Sequence, residues 1–430
     1  MKATQRLKHT TNVIARGYHR SIIPRHGTPY AKQSLHQTQF NKESIYLKKD
    51  EELVKTTNII NANQQSSTKT ATWSKNSTRE FLYKKIFIHL LPKGYPDAVH
   101  QNYMSYVKWQ SLVYVASSMG GVLSMQALLY AVGLGSGAIP LAATLNWVIK
   151  DGLGQLGGVI FASKVSTNFD ADPKKWRFRG EFALIASTLI EILTPLFPKL
   201  FIPLASLANI GKNVSWLSAS ATRASINLSF TRKDNLADLT AKSGSQAIAG
   251  SLVGTGLGIL ASACIGPEFS SVVTSFAVIA SAQLYALYKA VGFVELNVLN
   301  KQRAEIVSKH FLKTGVVMTP SDVSKKESFV APYQSSIIIN PPLERFTSSI
   351  SELEEIRSKY AGRGYMINKN NLMFISGAST SDVLCGLLCS LNNSEKDYSE
   401  QEFIEKLMLS GWKVDHDFVE ERQNRVEFLT

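Results

Sequence analysis

Apolar positions in this chain gather into three long regions instead of alternating with polar ones. From Trp109 to Ile149 there is no charged residue. A helix needs about 20 apolar residues to cross a bilayer. The stretch therefore holds one span, a turn at Gly133-Leu-Gly-Ser-Gly137, and the start of a second span. The next region, Phe182 to Ile210, is interrupted by Glu191 and Lys199 and punctuated by Pro195, Pro198 and Pro203. The third, Ser243 to Tyr288, carries Glu268 as its only charge, and Ile265-Gly-Pro-Glu268 divides it into two spans. Together they predict roughly four to six membrane segments. The alternative is a large soluble bundle with buried helices, which a mean hydropathy of −0.03 leaves open.

Small residues recur every four positions in these regions: Gly250, Gly254, Gly258, Ser262 and Gly266, then Gly133/Gly137 and Gly154/Gly158. That spacing lines one helix face with a groove into which a second backbone can approach. Lipid-embedded helices use it because hydrophobicity cannot drive them together.

The flanks follow other patterns. Residues 1–42 contain no acidic residue but carry Lys2, Arg6, Lys8, Arg16, Arg20, Arg25, Lys32 and Lys42. Wound as a helix, Lys2, Arg6, Arg16 and Arg20 share one face and Leu7, Ile14, Tyr18 and Ile22 the opposite one. This is the form of a mitochondrial targeting presequence; a plastid transit peptide or a basic tail is the alternative. Residues 43–80 are rich in Asn, Gln, Ser, Thr and Lys, show no period, and read as a flexible polar linker. Residues 81–315 form the helical core. Past Tyr288 the chain turns polar. Lys289 to Thr314 reads as a helix, Ser335–Asn340 and Asn371–Ser376 as strands, and Thr380–Leu391 and Glu400–Leu409 as helices. Lys413–Val419 and Arg425–Leu429 would close a small sheet. The expected fold is mostly α: a polytopic helical membrane-type core with a small, soluble C-terminal α+β module at 316–430.

Charge narrows the function. The chain has 430 residues and a formal net charge of +14. Because much of the surplus lies in the leader, no nucleic-acid partner is expected; the partner implied is a lipid bilayer. Cys264, Cys385 and Cys389 are the only cysteines and lack zinc-site spacing. No H-E-x-x-H or G-x-S-x-G occurs. Gly152-Leu-Gly154-Gln-Leu-Gly157 formally matches the dinucleotide fingerprint, and Asp170 or Asp172 stands near the right offset. No alternation of strands and helices follows it. The expectation is a protein that is not an enzyme and holds neither cofactor nor metal. Charges inside the apolar regions are the other signal, since each costs at least about 2.5–3.5 kcal/mol at a bilayer centre. Lys150, Asp151, Arg223, Asp238 and Lys242 are candidates for a ligand or ion site, with packing ion pairs as the plainer reading. Gly154, Gly158, Gly250, Gly254 and Gly258 are the candidate helix-packing positions.

Several motifs in series resemble the root UV-B sensitive family. They are Leu91-Pro-Lys-Gly-Tyr-Pro-Asp97 with Tyr103, Tyr106 and Trp109; Ala142-Ala-Thr-Leu-Asn-Trp-Val-Ile-Lys-Asp-Gly152 with Gly154, Gly157 and Gly158; and Asp172-Pro-Lys-Lys-Trp-Arg177. Leu204-Ala-Ser-Leu-Ala-Asn209 with Lys212, Ala221-Thr-Arg-Ala224, and Asn235-Leu-Ala-Asp-Leu-Thr-Ala-Lys242 with Gln246 continue the series. The polar motif residues are thus Asp97, Asp172, Lys174, Trp176, Arg177, Asn209, Lys212 and Gln246. The resemblance implies a link to vitamin B6 homeostasis and UV-B responses, and a membrane protein that handles or senses a small polar metabolite. It carries over no catalytic residue. A family member or a second copy is a candidate partner, and the C-terminal module a candidate recruiter in a scaffold role.

Overall fold

The computed structural model describes residues 34–39, 42–49, 52–55, 89–131, 140–165, 168–266, 268–392, 399–420 and 424–428. The chain divides into two units, Met1–Phe81 and Leu82–Thr430. The first contains an antiparallel meander of β1 (Ser34–Gln39), β2 (Lys42–Lys49) and β3 (Glu52–Lys55), with Leu35 opposite Tyr46 and Leu47 opposite Val54. The linker reading is corrected here: a short Ile45-Tyr46-Leu47 run carries a strand despite its polar surroundings. Most of the presequence, and the linker beyond Lys55, lie outside the described residues.

In the second unit the apolar regions become long helices. They are α1 (Tyr103–Ala131), α2 (Pro140–Val165), α4 (Pro173–Leu193), α5 (Phe201–Phe230), α6 (Leu236–Ile265) and α7 (Phe269–Gly292), with a single turn, α3 (Asn168–Ala171), between α2 and α4. The prolines set the breaks. Pro195 and Pro198 fall in two 3-10 turns between α4 and α5. Pro203 is tolerated because it lies in the first turn of α5, where its missing N–H costs nothing. Between α6 and α7, Gly266 takes φ +74°, a conformation that disfavours any side chain.

In the bundle, α4 packs on α5, and α1 packs on both α6 and α7; α1 and α7 also touch α4, while α2 lies against α5. Close approach depends on small residues. A Cβ at Gly254 would run into the Val115 backbone of α1; at Gly250 and Gly258 it would meet Tyr114 and Val122. Gly154 and Gly158 likewise admit Asn209 and Asn213 of α5.

Among the described residues three helices, α1, α6 and α7, are long and apolar enough to cross a membrane. This is fewer than the four to six expected: Lys150 and Asp151 interrupt α2, Lys and Arg crowd the start of α4, and α5 dilutes its apolar residues with Ser, Thr and Asn. The outer face of α6 is strongly apolar, with Ile248 72% and Leu252 74% exposed. Val159 on α2, Phe182 on α4 and Val278 on α7 are exposed as well.

The expected helix from Lys289 to Thr314 is two pieces. The chain leaves α7 at Gly292, forms β4 (Val298–Asn300), and restarts as α8 (Lys301–Thr314), N-capped by the Asn300 side chain. The apolar face of α8 (Ala304, Val307 and Phe311) packs with Val383, Leu384, Phe403 and Leu407, not with the bundle. The module therefore begins near β4 and not at residue 316. After α8 come α9 (Pro320–Lys326), β5 (Ile338–Ile339), α10 (Leu343–Phe346), α11 (Ile350–Lys359), β6 (Tyr365–Asn368), β7 (Asn371–Phe374), α12 (Thr380–Leu391), α13 (Glu400–Leu409) and β8 (Lys413–Phe418). The sheets are β4–β8, parallel, and β5–β7–β6, while Val426 forms an isolated bridge to Ile375. The first strand of the expected pair is thus only two residues long, and the last is a single bridge.

Candidate functional site

The five charged candidates fall in three places. On α2, Lys150 is 6% exposed, with its ammonium 4.9 Å from the Trp147 ring and paired with Asp151. Asn209 of α5 donates to the Lys150 carbonyl and to Asp151 Oδ1, both at 3.2 Å. One turn further, Lys212 pairs with buried Glu191 of α4. On α6, three side chains on one face hold the segment that leads into α1. Asp238 accepts from the Lys93 amide at 2.7 Å, Lys242 donates to the His89 carbonyl at 2.7 Å, and Gln246 donates to the Leu90 carbonyl at 2.7 Å. Asp97 is exposed in that segment. Arg223 stands alone, fourteen residues beyond Asn209 on α5, roughly 21 Å along the helix. The single five-residue site is corrected to three separate positions, because Lys150 and Asp151 engage each other and Asn209, while Asp238 and Lys242 engage the segment before α1, and Arg223 lies several turns from Asn209 along α5.

Two buried polar clusters were only partly legible in the motifs. The first joins bundle and module. Lys174 in the first turn of α4 is 1% exposed; its Nζ lies 2.9 Å from Glu327 Oε2 and donates to Ser324 Oγ at 2.7 Å. Arg303 of α8 reaches Glu327 Oε1 at 3.0 Å and donates to the Ala171 carbonyl at 2.9 Å. Asn300 donates to the same carbonyl at 3.1 Å and to Asp172, which Lys175 also approaches at 3.8 Å. Burial pushes the Glu327 carboxyl up, but Lys174 and Arg303 outweigh it and hold it below the ordinary carboxylate range. Trp176 anchors the same turn against Phe161 and Phe169. Each cation here faces a carboxylate, while the Arg303 Nε has no partner among the described residues, and the cluster is a clasp.

The second cluster lies inside the bundle. Tyr106, Gln110 and Tyr114 follow one another at four-residue spacing and so share a face of α1. Arg177 of α4 hydrogen-bonds Tyr114 and donates Nη1 to the Ala219 carbonyl of α5 at 3.0 Å. Arg177 and Arg223 both act electrostatically on Tyr106. Glu181, one turn after Arg177, accepts from Gln283 of α7 at 2.6 Å. The layer thus draws on four helices and holds two guanidinium groups against one carboxylate. Several of its atoms have no partner among the described residues: both side-chain polar atoms of Gln110, 3% exposed, and the Nε of Arg177 and of Arg223. Buried polar atoms are rarely left so, and each carries a desolvation cost. Chemically the layer can bind a polar ligand; it has no nucleophile–base pair, and no metal-ligand group of three occurs among the described residues. The motifs already contain Arg177 and Arg223. Gln110 and Gln283 were missed because uncharged amides do not interrupt an apolar run, and only their positions on buried faces reveal them.

At the end of the bundle where α1 begins and α5 ends, a pocket of about 470 Å³ lies between the bundle and the module. His100, Ser229, Thr231, Glu295, Asn297, Thr319, Ser321 and Lys413 contribute its polar lining. Glu295 is fully engaged by Asn102 at 2.7 Å, Ser321 at 3.0 Å and His100 at 3.6 Å.

Residues 76–315 match the "Vitamin B6 photo-protection and homoeostasis domain". The chain belongs to the root UV-B sensitive family. The family domain covers the whole in-bundle layer, together with Lys174 and Arg303 of the clasp; Glu327 lies beyond it. "RUS family member 1" of Dictyostelium discoideum is 36% identical over 245 residues, 56% of this chain and 46% of its own length. "Protein root UVB sensitive 3" of Arabidopsis thaliana is 29% identical over 369 residues, 78% of this chain and 84% of its own. "Protein root UVB sensitive 2, chloroplastic", also from Arabidopsis, is 32% identical over 242 residues, 56% of this chain and 55% of its own. The chain thus spans about half the length of two of these curated relatives and most of the third. No solved structure matches it.

Proposed function

We propose that this family member is a polytopic membrane protein, without enzymatic activity of its own, whose helical core binds a small polar metabolite related to vitamin B6. The observation that carries the reading is the combination of an apolar outer surface on α6 and its neighbours with a polar layer in the bundle whose Gln110 amide finds no partner among the described residues. Hydrocarbon satisfies the first and punishes the second unless a ligand or water completes it. The Lys150–Asp151–Asn209 and Lys212–Glu191 groups, which are internally paired, are read as packing contacts. The acid-free, Arg-bearing leader supports a mitochondrial membrane as the location; a plastid membrane is the alternative, in line with the printed name of one relative.

Alkaline carbonate extraction of isolated mitochondria tests the membrane part. A tagged chain should stay in the pellet, and its release into the supernatant would reject both the spans and this reading. Purified protein should then be stabilised by a vitamin B6 compound. A scaffold role for the module is the second reading, supported by a surface groove of about 740 Å³ that includes Arg357, Tyr360, Arg363 and Phe428. Truncation is a poor test of it, because removing Glu327 strands Lys174 and Arg303. Charge reversal at Arg357 leaves both the clasp and the Arg363–Glu400 ion pair intact and should abolish function only if the groove recruits a partner.

A further inference from the structure

The polar layer is unequal in what it offers. Of its atoms without a partner, three are donors: Gln110 Nε2, Arg177 Nε and Arg223 Nε. One, Gln110 Oε1, is an acceptor. Its formal charges are two cations against the single carboxylate of Glu181, whose oxygen already accepts from Gln283. Arg223 is half-buried with its Nε enclosed, and it has no acidic partner among the described residues. A cation entering this layer would face two guanidiniums. A neutral ligand would leave the excess positive charge uncompensated in a low-dielectric interior, where unpaired charge is most costly. An anion answers both the charge and the surplus of donors. Guanidinium groups suit it, because their fixed fork of N–H donors matches the oxygens of phosphate and carboxylate.

The 470 Å³ pocket is lined by His100, three residues before α1, and by Leu228 near the end of α5. Arg223 is five residues before Leu228, roughly 8 Å along the helix. Lys413, exposed at the pocket, has no acidic partner among the described residues, and Glu295 is occupied by its three neighbours. At this pocket Lys413 thus presents a cation that no carboxylate contacts among the described residues.

We infer that the bundle's polar layer is an anion site, in which Arg177, Arg223 and the Gln110 amide hold the phosphate or carboxylate of a small metabolite. The inference rests on the metabolite-binding reading above and adds the class of group recognised.

The test uses the full chain purified in detergent, with binding followed by calorimetry and by thermal stability. Pyridoxamine 5′-phosphate and pyridoxamine share a ring, differ by the phosphate, and lack an aldehyde that would react with surface lysines. Inorganic phosphate and acetate probe the anion alone. The expected result is binding of pyridoxamine 5′-phosphate at least about tenfold tighter than pyridoxamine, as loss of a charged hydrogen-bonded contact implies. Inorganic phosphate or acetate should compete with it, and whichever competes identifies the anionic group. Arg223→Gln should weaken the phosphate-bearing probe about tenfold or more and leave pyridoxamine unchanged. Arg223→Lys, which keeps the charge, should retain part of the affinity and guards against a folding artefact. Equal binding of the two compounds, unaffected by Arg223→Gln, overturns the anion site while the metabolite reading stands. Binding of neither compound nor of either anion overturns both.

Discussion

Replacing Glu327 with Ala removes the anion that both Lys174 and Arg303 face, 2.9 and 3.0 Å away. The side chains of Lys174, Arg303 and Glu327 are between 1% and 4% exposed, so solvent screens the pair little. The network would pass from one net positive charge to two, both in the interior. Breaking a buried ion pair from one side costs about 3–5 kcal/mol, because the surviving charge is stranded. At roughly 1–2 °C per kcal/mol for a unit as large as Leu82–Thr430, the melting temperature should fall by about 5 °C. Glu327→Gln keeps the shape and one acceptor and should lose less. Trp412 fluorescence is a suitable probe, since Trp412 is buried in the module and its Nε1 donates to the Met318 carbonyl at 2.7 Å. Limited proteolysis should show new cleavage between α7 and α8 in the Ala variant. The clasp also sets a pH dependence. The folded-state pKa of Glu327 lies below its ordinary value of 4.5. Its contribution is therefore fully present above about pH 4.5 and is lost as pH falls through the lower folded value. A loss under about 1 kcal/mol in the Ala variant, with no added acid resistance, would refute the assignment of Glu327 as the shared counter-ion.

Other expectations follow from single contacts. Gln110→Leu removes two buried atoms without partners and should raise the stability of the ligand-free chain by about 1–3 kcal/mol while weakening the phosphate-bearing probe; thermal unfolding and calorimetry on one preparation read both. Gly254→Leu drives a side chain into the Val115 backbone and should destabilise the bundle by at least about 2 kcal/mol, measured by unfolding in detergent. In the module, Asp382→Ala dissolves the capping box with Ser379 at the start of α12 and should cost about 1 kcal/mol by chemical denaturation, with no change in ligand affinity.

Much of the architecture was legible in the residues alone. The uncharged run after Trp109, the Ile265-Gly-Pro-Glu268 break, and α12 and α13 were all readable, because length, apolarity and helix breakers are local properties. Lys289–Thr314 was misread for the same local reason: its apolar positions have helical spacing, and nothing nearby reveals that its second half packs on Phe403 and Leu407, far along the chain. The Ile45 strand was hidden by its polar neighbours.

The sequence by itself determined that this chain has long apolar helices, close-packing glycines, motifs of one family, and charges in places where charges are costly. Only the tertiary structure decided what those charges do. Asp238 and Lys242 hold the approach to α1, Lys150 pairs with its own neighbour, and Lys174 meets Glu327 across 153 residues of chain. Arg177, Arg223 and Gln110, which no spacing rule links, form one layer because three helices pack side by side. Helical periodicity tells which face a residue occupies, but the partner of that face is set by packing between elements, and an electrostatic site exists only once that partner is known.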